Sequence, residues 1–376
     1  MQETFNGLFN GLTVLITGHT GFKGSWLSIW LRELGAKVVG YSLDPPTHPS
    51  NFEVCQLKDK ITHIQGDIRD KHKLKSVIDQ YKPEVVFHLA AQALVLHSYE
   101  FPSDTFEINS QGTVNLLEIA RSAPFIKTMV VVTTDKCYEN KEWVWGYRES
   151  DPLGGSDPYS ASKAMAELAV NAYRRSFFSK EDSPLSLASA RAGNVIGGGD
   201  FSDFRIVPDT MKALMKEAPI AVRNPDSVRP WLNVLDPLSG YLWLAARSLE
   251  KGKSFAEAWN FGPKEHAGIP VRDLVDKAIE LWGSGSWATR RAENLKPEMG
   301  LLRLDWSKAA SSLSWQPVYD WKEAVEETVD WFKSYQQQEN MYEVCVSHIQ
   351  KYTKKASDAK VPWATLEEAC ASLKPL

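Results

Sequence analysis

Short apolar runs that alternate with segments of helical spacing constrain the fold of this chain more than any other feature. The run "TVLIT", Thr13 to Thr17, is β-branched and compact, and "GSWLSIWLRELG" after it has the apolar spacing of a helix. Similar apolar runs recur at "KVVGYSL", "EVVFHLAA" and "TMVVVTT". Strands that are apolar throughout and separated by helices are typical of a parallel sheet covered on both faces. The sequence therefore predicts an α/β fold with a doubly wound parallel sheet of the Rossmann type.

Charge and composition exclude several kinds of partner. The chain has 376 residues with 43 basic and 47 acidic side chains, a formal net charge of −4, and no block of lysine and arginine. Nucleic acid and anionic membranes are therefore not expected as partners. The longest apolar run, "VVFHLAAQALVLH", is too short to span a bilayer, and the N-terminus lacks the pattern of a secretory signal.

The cysteines indicate a reducing environment. Cys55, Cys137, Cys345 and Cys370 lie far apart and show no C-x-x-C spacing. This pattern favours a cytoplasmic protein without a cysteine metal site. No other metal-ligand spacing is present, so no metal is expected.

The loop between the first strand and the first helix has the pattern of a dinucleotide-binding site. In "TGHTGFKG", Gly18, Gly21 and Gly24 form a G-x-x-G-x-x-G array, with Thr20 and Phe22 between them. Glycines there let the backbone approach a pyrophosphate, and the amides at the helix N-terminus can hold its charge. The alternative is a purely structural turn. The order of strand, loop and helix favours a bound dinucleotide.

Residues further along the chain are candidates for contact with the same cofactor. Asp44 lies 20 positions after Gly24, where a carboxylate accepts hydrogen bonds from a ribose diol and repels a 2′-phosphate. NAD is therefore expected rather than NADP, unless Asp44 lies one turn too late for the ribose. Asp67 and Ile68 are candidates for the adenine, and a helix N-cap is the alternative role of Asp67. Small residues after the strand "EVVFHL" would let a cofactor lie close, although close packing explains them equally; these are Ala90, Ala91 and Gln92.

A tyrosine and a lysine four residues apart begin the helical segment "YSASKAMAELAVNAYRRSFF". A helix places Tyr159 and Lys163 on one face. The pKa of a free tyrosine is near 10, and lowering it by about three units requires roughly 4 kcal/mol of phenolate stabilisation. One ammonium at about 4 Å in an effective dielectric near 20 supplies about that much, and an oxidised nicotinamide would add to it. We therefore expect the pair to contact the cofactor and to act as a base towards a hydroxyl; an exposed pair of helix neighbours is the alternative.

Three polar residues, Thr134, Asp135 and Lys136, come at the end of the strand "TMVVVTT". The segments "TGHTGFKG", "HLAAQA", "TTDK" and "YSASK" resemble the extended short-chain dehydrogenase/reductase family, most closely its nucleotide-sugar 4,6-dehydratases. The resemblance covers the chain to about Tyr335. It implies that Thr134 binds the 4-hydroxyl of the sugar and that the next two residues act on carbons 5 and 6.

The reaction that the resemblance implies is a dehydration within one sugar. Oxidation at carbon 4 acidifies the hydrogen at carbon 5, an acid–base pair releases the 6-hydroxyl as water, and hydride returns from NADH to carbon 6. Asp135-Lys136, where thymidine-linked enzymes carry Asp-Glu, implies a cytidine-linked substrate, CDP-glucose, and the product CDP-4-dehydro-6-deoxyglucose. Our hypothesis is that Asp135 is the acid and Lys136 a neutral base, with the assignment inside the pair left open.

Candidates for the substrate side lie in the second half of the chain. "ARAGNVIGGGD" places Asn194 before a glycine-rich loop that suits closure over a phosphate, although a domain linker is the alternative. The resemblance implies that Arg229 in "SVRPWLNVLD" pairs with the diphosphate, as a guanidinium fork suits phosphate oxygens. The alternative is that Arg229 stacks near Trp231, and Arg205 is a weaker second candidate.

The expected organisation has three parts. Residues 1–190 form the NAD-binding domain, to which residues from about 232 to 262 return; residues 191–335 form a smaller mixed α/β substrate-binding domain, and residues 336–376 a helical extension. The resemblance implies a homodimer packed through the helices near Asn109 and Tyr159, or a homotetramer. Two other functions stay open: a nucleotide-sugar 4-epimerase of the same family, and a non-catalytic dinucleotide-binding protein.

Overall fold

The fold is built on one sheet of seven strands, with three two-stranded ladders beside it. The computed structural model describes residues 1–180, 183–265, 268–290 and 302–365. The strands of these residues are β1 Thr13–Thr17, β2 Lys37–Ser42, β3 Thr62–Gln65, β4 Val85–His88, β5 Thr128–Val132, β6 Ser186–Ala192, β7 Val195–Ile196, β8 Ile220–Val222, β9 Val228–Arg229, β10 Leu232–Asn233, β11 Ala258–Phe261, β12 Ile269–Pro270 and β13 Trp287–Thr289.

Helices connect most of the strands of the large sheet. They are α1 Phe22–Glu33, α2 Asn51–Val54, α3 Lys71–Tyr81, α4 Val95–Glu100, α5 Pro102–Phe106, α6 Gly112–Ala120, α7 Pro158–Tyr173, α8 Ile206–Met215, α9 Leu235–Lys251, α10 Val271–Trp282, α11 Ser307–Leu313, α12 Trp321–Gln336 and α13 Met341–Asp358. Two π-helical turns, Glu107–Gln111 and Arg174–Phe178, extend α5 and α7.

The large sheet has the strand order β11-β6-β5-β4-β1-β2-β3, and every neighbouring pair in it is parallel. Side chains of β1 alternate between two apolar layers: Val14 and Ile16 belong to the layer of α1 and α9, and Leu15 to the layer of α3, α6 and α7. Helices therefore cover both faces of the sheet, as its continuous apolar strands require. The predicted doubly wound parallel sheet is confirmed.

The strand order reverses direction between β1 and β4. Parallel sheets bind their ligands beside such a reversal, at the carboxyl ends of the strands. The segments that follow β1, β4, β5 and β6 leave the sheet at this edge. They contain the glycine loop, Ala90 to Gln92, Thr134 to Lys136, and Asn194. The fold therefore collects candidates that are far apart in sequence.

The second half of the chain adds a smaller set of elements. Three short ladders join β7 to β10, β8 to β13 and β9 to β12, and α8, α10 and α12 pack beside one another. The segment with α9 and β11 belongs to the large sheet and its helical layer, because β11 pairs with β6. The division into an NAD-binding and a substrate-binding domain stays a prediction.

The C-terminal extension packs on the first helix and on the N-terminal segment. Helix α13 lies against α1, and its Tyr352 hydroxyl donates a hydrogen bond of 2.8 Å to Asp236 Oδ1 on α9. The Trp363 ring stacks on that of Phe5, with their centroids 4.9 Å apart. The extension thus completes the core beneath α1, and residues 366–376 of the predicted extension lie outside the described residues.

No helix in the described part of the chain combines the length and the apolar character that crossing a bilayer requires.

Replacing Trp363 by Ala tests this packing. The Trp363 side chain is fully buried against Phe5 and Trp30, so its removal leaves a large cavity. We expect the free energy of unfolding, measured in denaturant, to fall by about 3–5 kcal/mol. Trp145→Ala is the control, because that ring is 68% exposed, and we expect a change within about 0.5 kcal/mol. Equal losses for the two variants would contradict the role of the extension.

Candidate active site

The glycine loop lies in close contact with the end of β4. Gly18 has φ +79°, and a side chain there would place its Cβ 2.7 Å from the Ala90 backbone nitrogen. At Gly24 a Cβ would lie 2.1 Å from the Gly18 carbonyl oxygen. Helix α1 begins after Gly21, whose position supplies no capping side chain to the first amides of the helix. The loop therefore offers uncapped amide donors beside a backbone surface without side chains, which fits a pyrophosphate.

Thr20 and Phe22 connect this loop to neighbouring segments. The Thr20 hydroxyl lies 2.8 Å from the Ser42 hydroxyl and donates a hydrogen bond of 3.0 Å to the Leu43 carbonyl, just beyond β2. The Phe22 ring comes within 3.2 Å of the position that a Cβ at Gly197 would take. The predicted cofactor loop and the predicted glycine-rich substrate loop thus meet.

The acidic candidates lie at the ends of β2 and β3. Asp44 is exposed, two residues past β2, and accepts a hydrogen bond of 2.8 Å from Gln65. Asp67 pairs with the Arg69 guanidinium at 2.7 Å, and this hydrogen-bonded pair lowers the pKa of the Asp67 carboxyl. The N-cap of α3 is Asp70, which accepts a hydrogen bond from the Lys73 amide, so the capping role considered for Asp67 belongs to Asp70, three residues later.

Ile68 and the segment after β4 are tied to the helices behind them. Ile68 is buried, and its side chain packs against Gly112 at the start of α6. The Asn109 side chain accepts a hydrogen bond from the Gln92 amide at 2.9 Å and donates one to the Gln92 carbonyl at 3.0 Å. It also donates to the Ser162 hydroxyl on α7 at 2.9 Å. Asn109 therefore fixes the segment of Ala90, Ala91 and Gln92 relative to the helix that carries Tyr159.

The end of β5 forms a single 3-10 turn, Asp135–Cys137, that begins at Thr134. The Thr134 hydroxyl donates a hydrogen bond of 2.9 Å to Asp135 Oδ1 and accepts one of 3.4 Å from the Lys136 amide. Asp135 is only 4% exposed, and its Oδ2 would lie 2.9 Å from a Cβ at Gly193. A glycine at the end of β6 thus makes room for the carboxylate inside the site. Lys136 is half-buried beside it.

Tyr159 and Lys163 lie one turn apart at the start of α7, and both side chains are less than a tenth exposed. The helix starts at this point because Asp157 caps it, accepting a hydrogen bond of 2.9 Å from the Ser160 amide. The Thr134 hydroxyl lies close enough to the Tyr159 phenol to act against the rise of its pKa, and the Lys163 ammonium lies 3.4 Å from the Val132 carbonyl oxygen. The structure therefore brings together Thr134, Asp135, Tyr159 and Lys163.

Burial dominates the electrostatics of this group. It raises the pKa of Asp135, against the opposing effects of Lys136 and of the Thr134 hydrogen bond. It lowers the pKa of Lys163 to about 8. It raises the pKa of Tyr159 to about 12, whereas we expected a lowered value from sequence. That expectation is wrong for the protein alone, because loss of hydration around the phenolate outweighs the nearby positive charges.

Lys23 is a member of the site that the sequence analysis missed. It stands between Phe22 and Gly24 in the first turn of α1 and is partly buried. Burial and the positive charge of Arg205 lower the pKa of Lys23 to about 8, while Asp135 opposes this shift. The positive charge of Lys23 in turn lowers the pKa of Lys163. The only sequence feature that could have indicated Lys23 is its charge within the otherwise uncharged first turn of α1.

The substrate-side candidates are less closely grouped. Arg205 forms an ion pair of 3.2 Å with Asp200, and its charge lowers the pKa of Tyr159, so it faces the same site. Arg229 donates a hydrogen bond of 3.0 Å to the Val228 carbonyl, among other interactions. Asn194 contributes its carbonyl to the ladder, accepting from the Leu232 amide at 3.0 Å. Among the described residues, no group of three or more His, Cys, Asp and Glu side chains could hold a metal ion.

Comparison with known proteins agrees with this combination of fold and site. Residues 15–328 match the family described as GDP-mannose 4,6 dehydratase. CDP-glucose 4,6-dehydratase of Salmonella typhimurium is 48% identical over 336 residues, which are 89% of this chain and 94% of that protein. The fold and the strand-end residues thus define a nucleotide-sugar enzyme of the extended short-chain dehydrogenase/reductase type. The chain belongs to the GDP-mannose 4,6 dehydratase family, and the resemblance stated from its motifs is confirmed.

Solved structures show the same fold. The dTDP-glucose 4,6-dehydratase of Streptomyces venezuelae, with NAD and TYD bound, superposes with a TM-score of 0.73 at 24% identity, covering 88% of this chain and 100% of that one. The UDP-glucose 4-epimerase of Thermus thermophilus, in complex with NAD, gives a TM-score of 0.73 at 26% identity, covering 86% and 99%. Dehydratases and epimerases therefore share this architecture, and the fold alone does not separate them.

Replacing Lys163 by Met tests whether burying the Lys163 ammonium lowers the free energy of unfolding. The folded pKa of about 8 lies below the ordinary value of 10.5, so the buried charge destabilises the fold at pH 7. The unfolded chain binds more protons between pH 8 and 10.5, so this cost disappears as the pH rises through that window. We expect Lys163→Met to raise the free energy of unfolding at pH 7 by about 1–3 kcal/mol, with a smaller difference from the wild type near pH 10.5.

The control is Lys127→Met, at the opposite end of β5, where the side chain is 56% exposed. Its effect on the free energy of unfolding should be within about 0.5 kcal/mol at both pH values. A loss of stability at pH 7 in Lys163→Met would contradict the assignment of an energetic cost to this ammonium.

Proposed function

We propose that this protein is an NAD-dependent lyase that converts CDP-glucose to CDP-4-dehydro-6-deoxyglucose and water. The observation that carries the proposal is the buried turn at the end of β5. It places Asp135 and Lys136 beside Thr134, whose hydroxyl donates a hydrogen bond to Asp135 and favours the phenolate of Tyr159. An epimerase needs the tyrosine and the threonine but has no use for this additional acid–base pair. The relative that shares 48% identity is itself a CDP-glucose 4,6-dehydratase.

The residues around the glycine loop fit NAD. Gly18, Gly21 and Gly24 would hold the pyrophosphate against the start of α1, because these positions carry no side chain and Gly21 supplies no cap to the first amides of the helix. Asp44 would bind the adenosine ribose, and the adenine would lie near Asp67 and Ile68. The nicotinamide end would lie near Ala90, Ala91, Gln92, Tyr159 and Lys163. The chemistry that NAD supplies when bound is hydride acceptance from carbon 4 and hydride return at carbon 6.

Tyr159 handles the proton of the 4-hydroxyl. The nearby Thr134 hydroxyl and the charge of Arg205 favour its phenolate, and burial opposes it. Lys163 would hold the cofactor and keep a positive charge near this proton transfer. Because the pKa of Lys163 is about 8, this charge is present at neutral pH and is lost in mildly alkaline solution.

Asp135 and Lys136 carry out the dehydration. Burial raises the pKa of Asp135 and so favours the protonated form that a general acid needs. Asp135 would give its proton to the departing 6-hydroxyl, and Lys136 would take the proton from carbon 5 and later return it there. After one turnover, Asp135 has lost one proton and Tyr159 has gained one, so a proton must return from Tyr159 to Asp135. The Thr134 hydroxyl, which donates to Asp135 and acts on the pKa of Tyr159, would give a path for its return.

The diphosphate of the substrate would lie on the side of the second set of elements. Arg229 and Arg205 would supply charge-assisted hydrogen bonds to it, with Asn194 at the start of the loop that faces the substrate. Arg205 is already held by Asp200, which fixes its guanidinium near Tyr159. The nucleobase of the substrate, which is cytosine in this proposal, would lie further from the sheet edge than the sugar.

The test follows deuterium from CDP-glucose labelled at carbon 4. The wild type should release water and deliver the label to carbon 6, as seen by mass spectrometry and NMR of the product. Lys136→Ala should lower turnover by at least about 100-fold, as the step at carbon 5 then lacks its base. Lys127→Ala at the other end of β5 is the matched control and should keep wild-type turnover.

The outcomes separate the alternatives. Label retained at carbon 4 in a product with inverted configuration would establish an epimerase. Bound NAD without turnover of CDP-, dTDP-, UDP- or GDP-glucose would establish a non-catalytic dinucleotide-binding protein. Turnover restricted to another nucleotide would change the substrate but keep the reaction. Full turnover in Lys136→Ala would remove that residue from the mechanism.

We further propose that the protein is a homodimer that packs through the helices near Asn109 and Tyr159, which are α6 and α7, with pairing of dimers to a tetramer as a second assembly step. Helix α7 exposes Met165 and Leu168, and α4, which packs beside α7, exposes Leu96 and is followed by the exposed Phe101. Large exposed apolar patches on enzymes of this size mark contacts between proteins. We also propose a cytoplasmic location, which the free thiols of Cys55, Cys137 and Cys345 favour.

Light scattering after gel filtration tests the dimer. The wild type should show at least about twice the 42.2 kDa mass of the chain. Leu168→Glu places a charge in the proposed interface and should shift the protein to a monomer. Val144→Glu alters another exposed apolar residue outside these helices and should leave the mass unchanged. A wild-type monomer, or an unchanged mass in Leu168→Glu, would contradict the proposed interface.

A further inference from the structure

Glu167 is a buried carboxylate on the same face of α7 as Tyr159 and Lys163, one turn beyond the lysine. Its side chain is only 2% exposed. One carboxylate oxygen, Oε1, accepts a hydrogen bond of 2.5 Å from the Thr133 hydroxyl. The other, Oε2, accepts from the Ser189 hydroxyl at 2.8 Å and from the Arg191 guanidinium at 2.7 Å. The carboxylate therefore joins α7 to β6 and to the residue that follows β5.

Burial of this ion pair needs a reason beyond stability. Removing a carboxylate and a guanidinium from water is costly, and replacing such a pair with apolar residues is often neutral or stabilising. Here the geometry favours the charged forms: hydrogen bonds and the charge of Arg191 lower the pKa of Glu167 in spite of its burial. A fixed negative charge therefore persists at the base of the active site.

The partners of this ion pair flank the acid–base turn on both sides. Thr133 immediately precedes the turn, and its amide also donates a hydrogen bond of 2.9 Å to the Ala190 carbonyl. Tyr138 immediately follows the turn, and its hydroxyl accepts a hydrogen bond of 2.6 Å from Arg191. The same hydroxyl donates to Asn260 on β11 at 2.8 Å. Both ends of the segment from Thr134 to Cys137 are thus anchored to one buried pair.

We propose that Glu167 is a positioning residue, which with Arg191 holds the turn that carries Asp135 and Lys136 at a fixed distance from Tyr159 and Lys163. This proposal rests on the proposed dehydration. Tyr159, Asp135 and Lys136 must act in turn on one hexose, and a displacement of about 1 Å can cost roughly 100-fold in rate. Tyr159 and Lys163 are fixed to the helix backbone, but Asp135 and Lys136 lie on a short turn after the strand, which needs a separate anchor.

Thr133→Val and Ser189→Ala provide a matched test. Each removes one hydroxyl that donates to the same carboxylate, but only Thr133 adjoins the turn. We expect Thr133→Val to lower kcat for CDP-glucose by about 10- to 100-fold with KM within about twofold. Ser189→Ala should keep kcat within about twofold, and the thermal midpoints of the two variants should fall by similar amounts. Thr133→Ser, which keeps the hydroxyl, should restore kcat.

A second readout does not depend on turnover. Hydrogen exchange of the amides from Thr134 to Tyr138 should become faster in Thr133→Val and stay unchanged in Ser189→Ala. If the wild type does not dehydrate CDP-glucose but this difference in exchange is seen, the proposed function fails and the positioning role stands. If the wild type is active and the two variants lose equal activity with equal exchange, the positioning role is overturned.

Glu167→Gln removes the negative charge of the side chain but keeps its shape. The negative charge of Glu167 raises the pKa of Lys163, so its loss should lower that pKa further. The alkaline limb of the profile of kcat against pH should therefore move to lower pH, together with a fall in kcat. A variant that only loses folded protein would show a lower amplitude with the limb unmoved, and that result would contradict the proposal.

Discussion

Parallel pairing of β1 with β4 and of β4 with β5 is the constraint on which the rest of the structure depends. It brings the carboxyl ends of three strands to one edge, although more than 100 residues separate the first from the last. The glycine loop can then lie within van der Waals contact of the segment after β4, as the short Gly18–Ala90 approach shows. The turn after β5 reaches the same edge and meets Tyr159 from the next helix. Each candidate role follows from this convergence.

The convergence has an electrostatic cost that the protein offsets only in part. Lys23, Lys163 and Asp135 are all withdrawn from water, and burial shifts each pKa towards the neutral form. These shifts make the neutral form of each group easier to reach, which acid–base catalysis requires. The ion pair of Glu167 and Arg191 behind them stays charged, so the site combines groups that can titrate with a pair that holds them in place. The stability that this arrangement loses has to come from other parts of the fold.

Aromatic packing beneath α1 supplies part of that stability. Trp30 on α1 packs against Tyr352 and Trp363 of the C-terminal extension, and the Trp363 ring also stacks on Phe5. Helix α1 carries the glycine loop at one end and Lys23 in its first turn, so its orientation decides where both lie. The C-terminal extension thus contributes to the site at a distance, by fixing the helix from behind.

The sequence by itself determined the features that depend on local backbone pattern. These are the parallel sheet, the glycine loop, the shared face of Tyr159 and Lys163, and the family, because strand runs, helical spacing and short motifs are read from neighbouring residues. Only the tertiary structure decided what surrounds each group: the space at Gly193 for Asp135, the place of Lys23 in the site, the partners of Glu167, and the raised pKa of Tyr159. The physical reason is that hydration and electric field at a buried atom sum contributions from segments far apart in the chain, and no local pattern contains their distances.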